Sequence, residues 1–173
     1  ASLSGEGAGY GFGEISTKES INLLHKSFSY GISIVDTAPI YGFGESELRI
    51  GKAIKGRRDS VHVISKSGVS WHENMRVNMT NNPKVSLKQL HESLTRLNTD
   101  YIDTYMVHWP DKNVDLLETL DIYLKAQKEG KIKHIGLCNT NLTDLKLASE
   151  IDKIEVIQSE LNDVISKEYL LGL

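Results

Sequence analysis

From Ser16 to Gln158, amphipathic helical segments alternate with short β-rich runs, and this alternation constrains the fold more than any other feature. "STKESINLLHKSFSYG" opens on a capping box, Ser16 to Glu19, and closes on Gly31. Ile21, Leu24 and Phe28 make its buried stripe. "ISIVDTA" follows as a strand, "ESELRIGKAIKG" as a helix with acids in its first turn, and "VHVISKS" as a strand. The interval from Gly68 to Lys84 is the longest irregular piece. "SLKQLHESLTRLN" then reads as a helix opened by a second capping box, Ser86 to Gln89. Its Leu87, Leu90, Leu94 and Leu97 share one face. "YIDTYMVHW", "HIGLCN" and "EVIQSEL" read as strands, separated by the helices "DLLETLDIYLKAQKEG" and "NLTDLKLASEID". "SKEYLLGL" is expected to begin another helix, and the topology wants a first strand in the Gly-rich "SGEGAGYGFG". Such alternation means βαβ units and a parallel sheet.

The ends of these runs carry the chemistry. Asp36, Lys66, His108 and Asn139 close successive strands, and Gln158 lies late in the next. Parallel barrels and open parallel sheets both place ligands and catalytic groups at the carboxyl ends of strands. Taken singly, each residue has a plainer role. A strand-terminal Asp or Asn usually caps the next turn, Lys66 suits a solvated strand end, and His108 and Gln158 suit hydrogen-bonded interior positions. Their occurrence together on one rim, with Tyr41 close behind Asp36, argues for a site. A phenol has a reference pKa of about 10 and donates a proton poorly near neutrality. A neighbouring ammonium lowers that value, and a carboxylate beside the ammonium fixes it. A histidine opposite the phenol orients a carbonyl oxygen between them, completing a general acid with electrostatic support.

Composition closes off other classes. The chain has 173 residues, enough for one domain with a sizeable core, and its 39% apolar and 25% charged residues are ordinary for a globular protein. A net charge of −3 leaves no basic footprint for nucleic acid or for an anionic membrane. The single cysteine, Cys138, excludes an intrachain disulfide framework and fits a reducing compartment. No apolar stretch nears membrane-spanning length and no signal peptide is visible, so a cytoplasmic protein is expected. "GEGAGYGFG" lacks the spacing of a dinucleotide fingerprint, and "RIGKA" lacks the rest of a Walker A loop. Six scattered histidines and one cysteine make no zinc set, so no metal is expected.

"GISIVDTAPIYGFGESELRIGKAI", "SKSG", "SLTRLNTDYIDTYMVHWPD" and "GKIKHIGLCNTN" together resemble the aldo-keto reductases, in the right order, from about Ser16 to Asn162. The resemblance implies an α/β fold, a (β/α)8 TIM barrel binding NADP(H) without a Rossmann fold. It places a catalytic tetrad on Asp36, Tyr41, Lys66 and His108, with Tyr41 as proton donor and Lys66 as the partner that lowers its pKa. Asp36 anchors Lys66, and His108 orients the substrate. Asn139 and Gln158 match the residues that hold the nicotinamide amide, and Cys138 stands where the family usually has Ser, with a weaker hydrogen bond. Trp109 resembles an aromatic wall of the substrate pocket, with packing against Pro110 as its other reading. Residues 1–173 are expected to form one barrel domain, incomplete at its C-terminus, with about six β/α units. The expected partner is a small carbonyl compound, an aldehyde, ketone or sugar, reduced to its alcohol. A non-catalytic cofactor-binding protein of the channel β-subunit kind, or an inactive truncated paralogue, is the other reading.

Overall fold

The computed structural model describes residues 3–5, 13–151 and 153–160. Of "SGEGAGYGFG", residues 4–13, where a first strand is expected, residues 6–12 lie outside the described residues, as do residues 166–173, where "SKEYLLGL" is expected to begin a helix.

Helix α1 (Thr17–Ser29) carries both halves of its capping box: Glu19 N–H donates to Ser16 Oγ at 3.2 Å, and Ser16 N–H to Glu19 Oε2 at 2.9 Å. Strand β1 (Ile34–Asp36), helix α2 (Glu45–Ala53) and strand β2 (His62–Ser67) follow. After a short hairpin come α3 (Pro83–Leu97), β5 (Ile102–Val107), α4 (Leu116–Lys128), β6 (Ile132–Cys138), α5 (Leu142–Ser149) and β7 (Ile154–Gln158). The hairpin itself is β3 (Val69–Trp71) paired antiparallel with β4 (Val77–Met79).

The main sheet has five strands in the order β1-β2-β5-β6-β7, every pair parallel. Each strand lies beside its successor, with no reversal of order, which is the barrel arrangement rather than the doubly wound one. The sheet curls far enough that Gln158, on one edge strand, donates from Nε2 to Asp36 Oδ2, on the other, at 3.1 Å. The result is a partial barrel with its helices outside.

The core lies between the curled sheet and α1 to α4. Val63, Leu90, Leu97, Ile102, Tyr105, Val107, Leu120, Tyr123 and Leu137 are fully buried. All of β5 is buried, as a parallel strand covered on both faces must be. The expected stripe of α3 holds: Leu90 and Leu97 are buried, and Leu87 and Leu94 pack against the same cluster. α2 and α3 approach so closely that a Cβ at Gly51 would stand 2.7 Å from the carbonyl oxygens of Arg96 and Leu97.

Two expectations are corrected. The interval from Gly68 to Lys84 is not irregular, because Val69, Trp71, Val77 and Met79 alternate with polar residues and pair in register across the hairpin. Helix α3 begins at Asn82 rather than Ser86: the Asn82 side chain accepts from Lys84 N–H at 3.0 Å, and Pro83 occupies the first helical position. Ser86 is therefore buried one turn inside the helix, and Gln89 is free to bond elsewhere. Among the described residues, no helix is long and apolar enough to cross a membrane.

Candidate active site

The carboxyl ends of β1, β2, β5, β6 and β7 open on one mouth. Asp36 is the last residue of β1, and Tyr41 follows on the turn before α2. Lys66 sits at the penultimate position of β2 and His108 just after β5. Asn139 directly follows β6, and Gln158 ends β7.

The Lys66 side chain is 1% exposed and points across the mouth, where Nζ donates to Asp36 Oδ1 at 2.7 Å and to the Thr37 carbonyl at 3.0 Å. A lysine buried to that degree needs a counter-charge and further acceptors, and β1 supplies both. Its Nζ also stands 5.4 Å from the centre of the Tyr41 ring. Opposite Lys66, the His108 ring meets Tyr41 edge to face, with centroids 5.9 Å apart and planes at 85°. Asp36, Tyr41, Lys66 and His108 thus share one site.

Electrostatics within the group differ from the expectation in one respect. Burial first, then the Asp36 carboxylate and Cys138, push the Tyr41 phenol up to about 12. Lys66 does not reverse this, because its ammonium is turned toward Asp36, which offsets its pull on the phenol. Tyr41 therefore holds its proton throughout the neutral range. His108 moves the other way. Burial and the Lys66 ammonium push its imidazole down to about 3, so it is neutral at pH 7 and presents one N–H and one bare nitrogen.

The β6 and β7 ends form the second part of the mouth. Asn139 adopts a left-handed backbone conformation (φ 54°), and its Nδ2 donates to the His108 carbonyl at 3.0 Å. Cys138 is buried, burial raises its pKa, and its Sγ donates to Gln158 Oε1 at 3.4 Å. Two carboxamides beside a neutral thiol are a donor and acceptor set that fits a planar amide such as that of nicotinamide. Trp109 is not packed into the core: it is 39% exposed and stacks on His108 with centroids 4.0 Å apart.

Sequence reasoning did not single out the buried Glu47 of α2. It accepts from Ser65 Oγ at 2.6 Å and from Arg96 Nε at 2.7 Å, joining α2, β2 and α3 behind Lys66. The available signal was an acid one turn before Ile50 and Ile54, on the apolar face of α2. Among the described residues, no group of three or more His, Cys, Asp or Glu is placed to hold a metal ion.

A parallel sheet of barrel type whose strand ends gather a phenol, an ammonium, a carboxylate and an imidazole defines the class: a (β/α)-barrel protein with a polar, ionisable cluster at its mouth. The model of the aldo/keto reductase family matches residues 3–171, and the chain belongs to that family. It is 37% identical to the aldo-keto reductase YhdN of Bacillus subtilis strain 168 over 153 residues, 87% of this chain and 46% of that protein. An NADH-specific methylglyoxal reductase of Escherichia coli strain K12 is 29% identical over 161 residues, 86% of this chain and 49% of that one. The solved structure of the glycerol dehydrogenase AKR11B4 from Gluconobacter oxydans superposes with a TM-score of 0.83 at 30% identity, over 90% of this chain and 50% of the other. The chain thus spans about half the length of the relatives it matches, in keeping with an incomplete (β/α)8 barrel.

Proposed function

We propose that this chain carries the proton-transfer half of a pyridine-nucleotide-dependent carbonyl reductase, which converts an aldehyde, ketone or sugar carbonyl to its alcohol. The observation that carries the reading is the Lys66–Asp36 pair at 2.7 Å facing the Tyr41–His108 pair across one mouth. When bound, the dihydronicotinamide supplies the hydride to the carbonyl carbon. Tyr41 gives its proton to the carbonyl oxygen and is later reprotonated from solvent. Lys66 lies near enough to stabilise the phenolate left behind, while Asp36 holds Lys66 in place. Neutral His108 directs a ring N–H at the same oxygen, and Trp109, stacked on it, walls the pocket. Asn139, Gln158 and Cys138 hold the nicotinamide amide.

NADP(H) is the nucleotide that the family resemblance implies. One relative is NADH-specific, so both forms belong in the test. Residues 1–173 are read as part of one barrel domain. A cytoplasmic site of action is inferred from the chain's having a single cysteine, Cys138, and so no intrachain disulfide framework.

One observation favours a non-catalytic, cofactor-binding reading of the same scaffold. A phenol at about 12 is a weak acid, and a binding module tolerates that better than an enzyme does. Turnover decides between the two. Mixed with NADPH or NADH and 4-nitrobenzaldehyde, the protein is expected to consume the reduced nucleotide, and Tyr41→Phe to lose about a thousandfold in rate. Nucleotide binding without turnover would establish the non-catalytic reading. Equal rates in the wild type and Tyr41→Phe would remove Tyr41 as the donor.

A further inference from the structure

The β3–β4 hairpin leaves the sheet directly behind Lys66 and returns beside His108, and two buried carboxamides tie it down at both points. Past Lys66 and Ser67 the chain turns outward at Gly68, with φ at +97°. The two backbone groups released from the sheet there are taken up by one side chain. Gly68 N–H donates to Gln89 Oε1 at 2.8 Å, and Gln89 Nε2 donates to the Val69 carbonyl at 2.9 Å. Gln89 comes from α3 and is 5% exposed.

On the return, Thr80 N–H donates to the Gly68 carbonyl at 3.0 Å. Asn81, 1% exposed, donates from Nδ2 to the Trp109 carbonyl at 2.8 Å. Its own carbonyl accepts from Thr119 Oγ1 of α4 at 2.6 Å. The Asp111 carboxylate, just beyond Trp109, accepts from Asn113 N–H at 2.9 Å and from Asn113 Nδ2 at 3.1 Å. Asn81 Oδ1 is buried with no hydrogen-bond partner, lying where a Cβ on Gly68 would have to stand. A buried amide oxygen without a partner is destabilising, so the orientation of this amide is set by the bond its Nδ2 makes. Its Nδ2 is held on the one carbonyl that follows His108. Between these anchors, His108 N–H donates to the Ser67 carbonyl at 2.9 Å.

We propose that Gln89 and Asn81 are positioning residues for the reduction site, clamping the hairpin between the ends of β2 and β5 so that Lys66 and His108 keep a fixed separation across the mouth. The proposal rests on the carbonyl-reductase reading. Both side chains bond to backbone groups. Gln89 acts through Gly68 on Lys66, and Asn81 acts through Trp109 on His108.

Two readouts test the clamp, one of them independent of activity. In Gln89→Met and Asn81→Ala, kcat is expected to fall by about a hundredfold while nucleotide affinity stays within about twofold, since a displacement of about 1 Å at the reacting groups has that effect. Gln89→Glu retains the acceptor for Gly68 N–H but loses the donor to Val69 until its carboxyl is protonated. Its kcat, relative to wild type, is therefore expected to recover as pH is lowered. Unchanged kcat in the folded variants would overturn the proposal. So would a parallel fall of kcat, affinity and thermal midpoint with no recovery in acid. If the wild-type chain shows no turnover, the functional reading fails and the clamp is read from amide hydrogen exchange. Gly68 N–H should then exchange slowly in wild type and quickly in Gln89→Met, with the loss of protection reaching His108 N–H. Loosening confined to Gly68, or none at all, would overturn the clamp.

Discussion

His108 sets the acid behaviour of the site. In the folded protein its imidazole is pushed from 6.5 down to about 3 by burial and the Lys66 ammonium, so between those values the unfolded chain binds the proton that the folded one refuses. His108 thus has no effect on stability above pH 6.5 and destabilises the fold progressively as pH falls toward about 3. His62 is also pushed down, first by burial, so wild type carries more than one such contribution. The difference between wild type and His108→Gln isolates this one. Urea midpoints measured across that range should fall less steeply with acid in His108→Gln, and identical slopes would place His108 in solvent. At this scale the sequence is legible wherever a polar residue closes an apolar run, which is how Asp36, Lys66, His108, Asn139 and Gln158 stand out. The direction of the Tyr41 shift is not legible. It depends on how deeply the phenol is buried and on which neighbour Lys66 faces, and both are settled only when β1 and β2 pair.

At the level of elements, the start of α3 decides where Gln89 points. Two start signals lie one turn apart, Asn82-Pro83 and the S-x-x-Q pattern from Ser86 to Gln89, and the first prevails because proline at the first helical position is already set for the helix. With Ser86 inside the helix, Gln89 reaches the hairpin instead of closing a capping box. Asn82→Ala is expected to cost about 1 kcal/mol of unfolding free energy, and Asn82→Ser to restore most of it, in chemical denaturation. No loss on removal of Asn82 would return the helix start to Ser86. The long helices and β5 were legible because their periodicity runs for several turns or a full strand. The hairpin was not, since β3 and β4 are three residues each, too short for a period of two to stand out. Their pairing is recognisable only once Val69, Trp71 and Val77 are seen to pack with Ala38, Ile40, Tyr41 and Phe43 over the mouth.

For the whole molecule, the alternation of helices and strands indicates a parallel sheet but not whether it is a barrel or an open one. The family resemblance implies the barrel, and the strand order, which follows the chain, agrees with it. Closing a barrel requires the last strand to hydrogen-bond to the first along its length. Among the described residues β1 and β7 each have one strand neighbour, and the Gln158–Asp36 bond joins them through side chains at the mouth alone. Ile34 on β1 is 59% exposed and Ile157 on β7 is 51% exposed. Apolar side chains beside unpaired backbone groups form a template for a further strand, and the same exposure drives association between copies when nothing else covers it. The 173-residue chain is therefore expected to associate increasingly with concentration in sedimentation velocity. An Ile34→Lys, Ile157→Lys double variant should shift the distribution toward monomer, because a charge at each edge opposes strand addition. Association of the double variant equal to wild type would place the contact elsewhere on the surface.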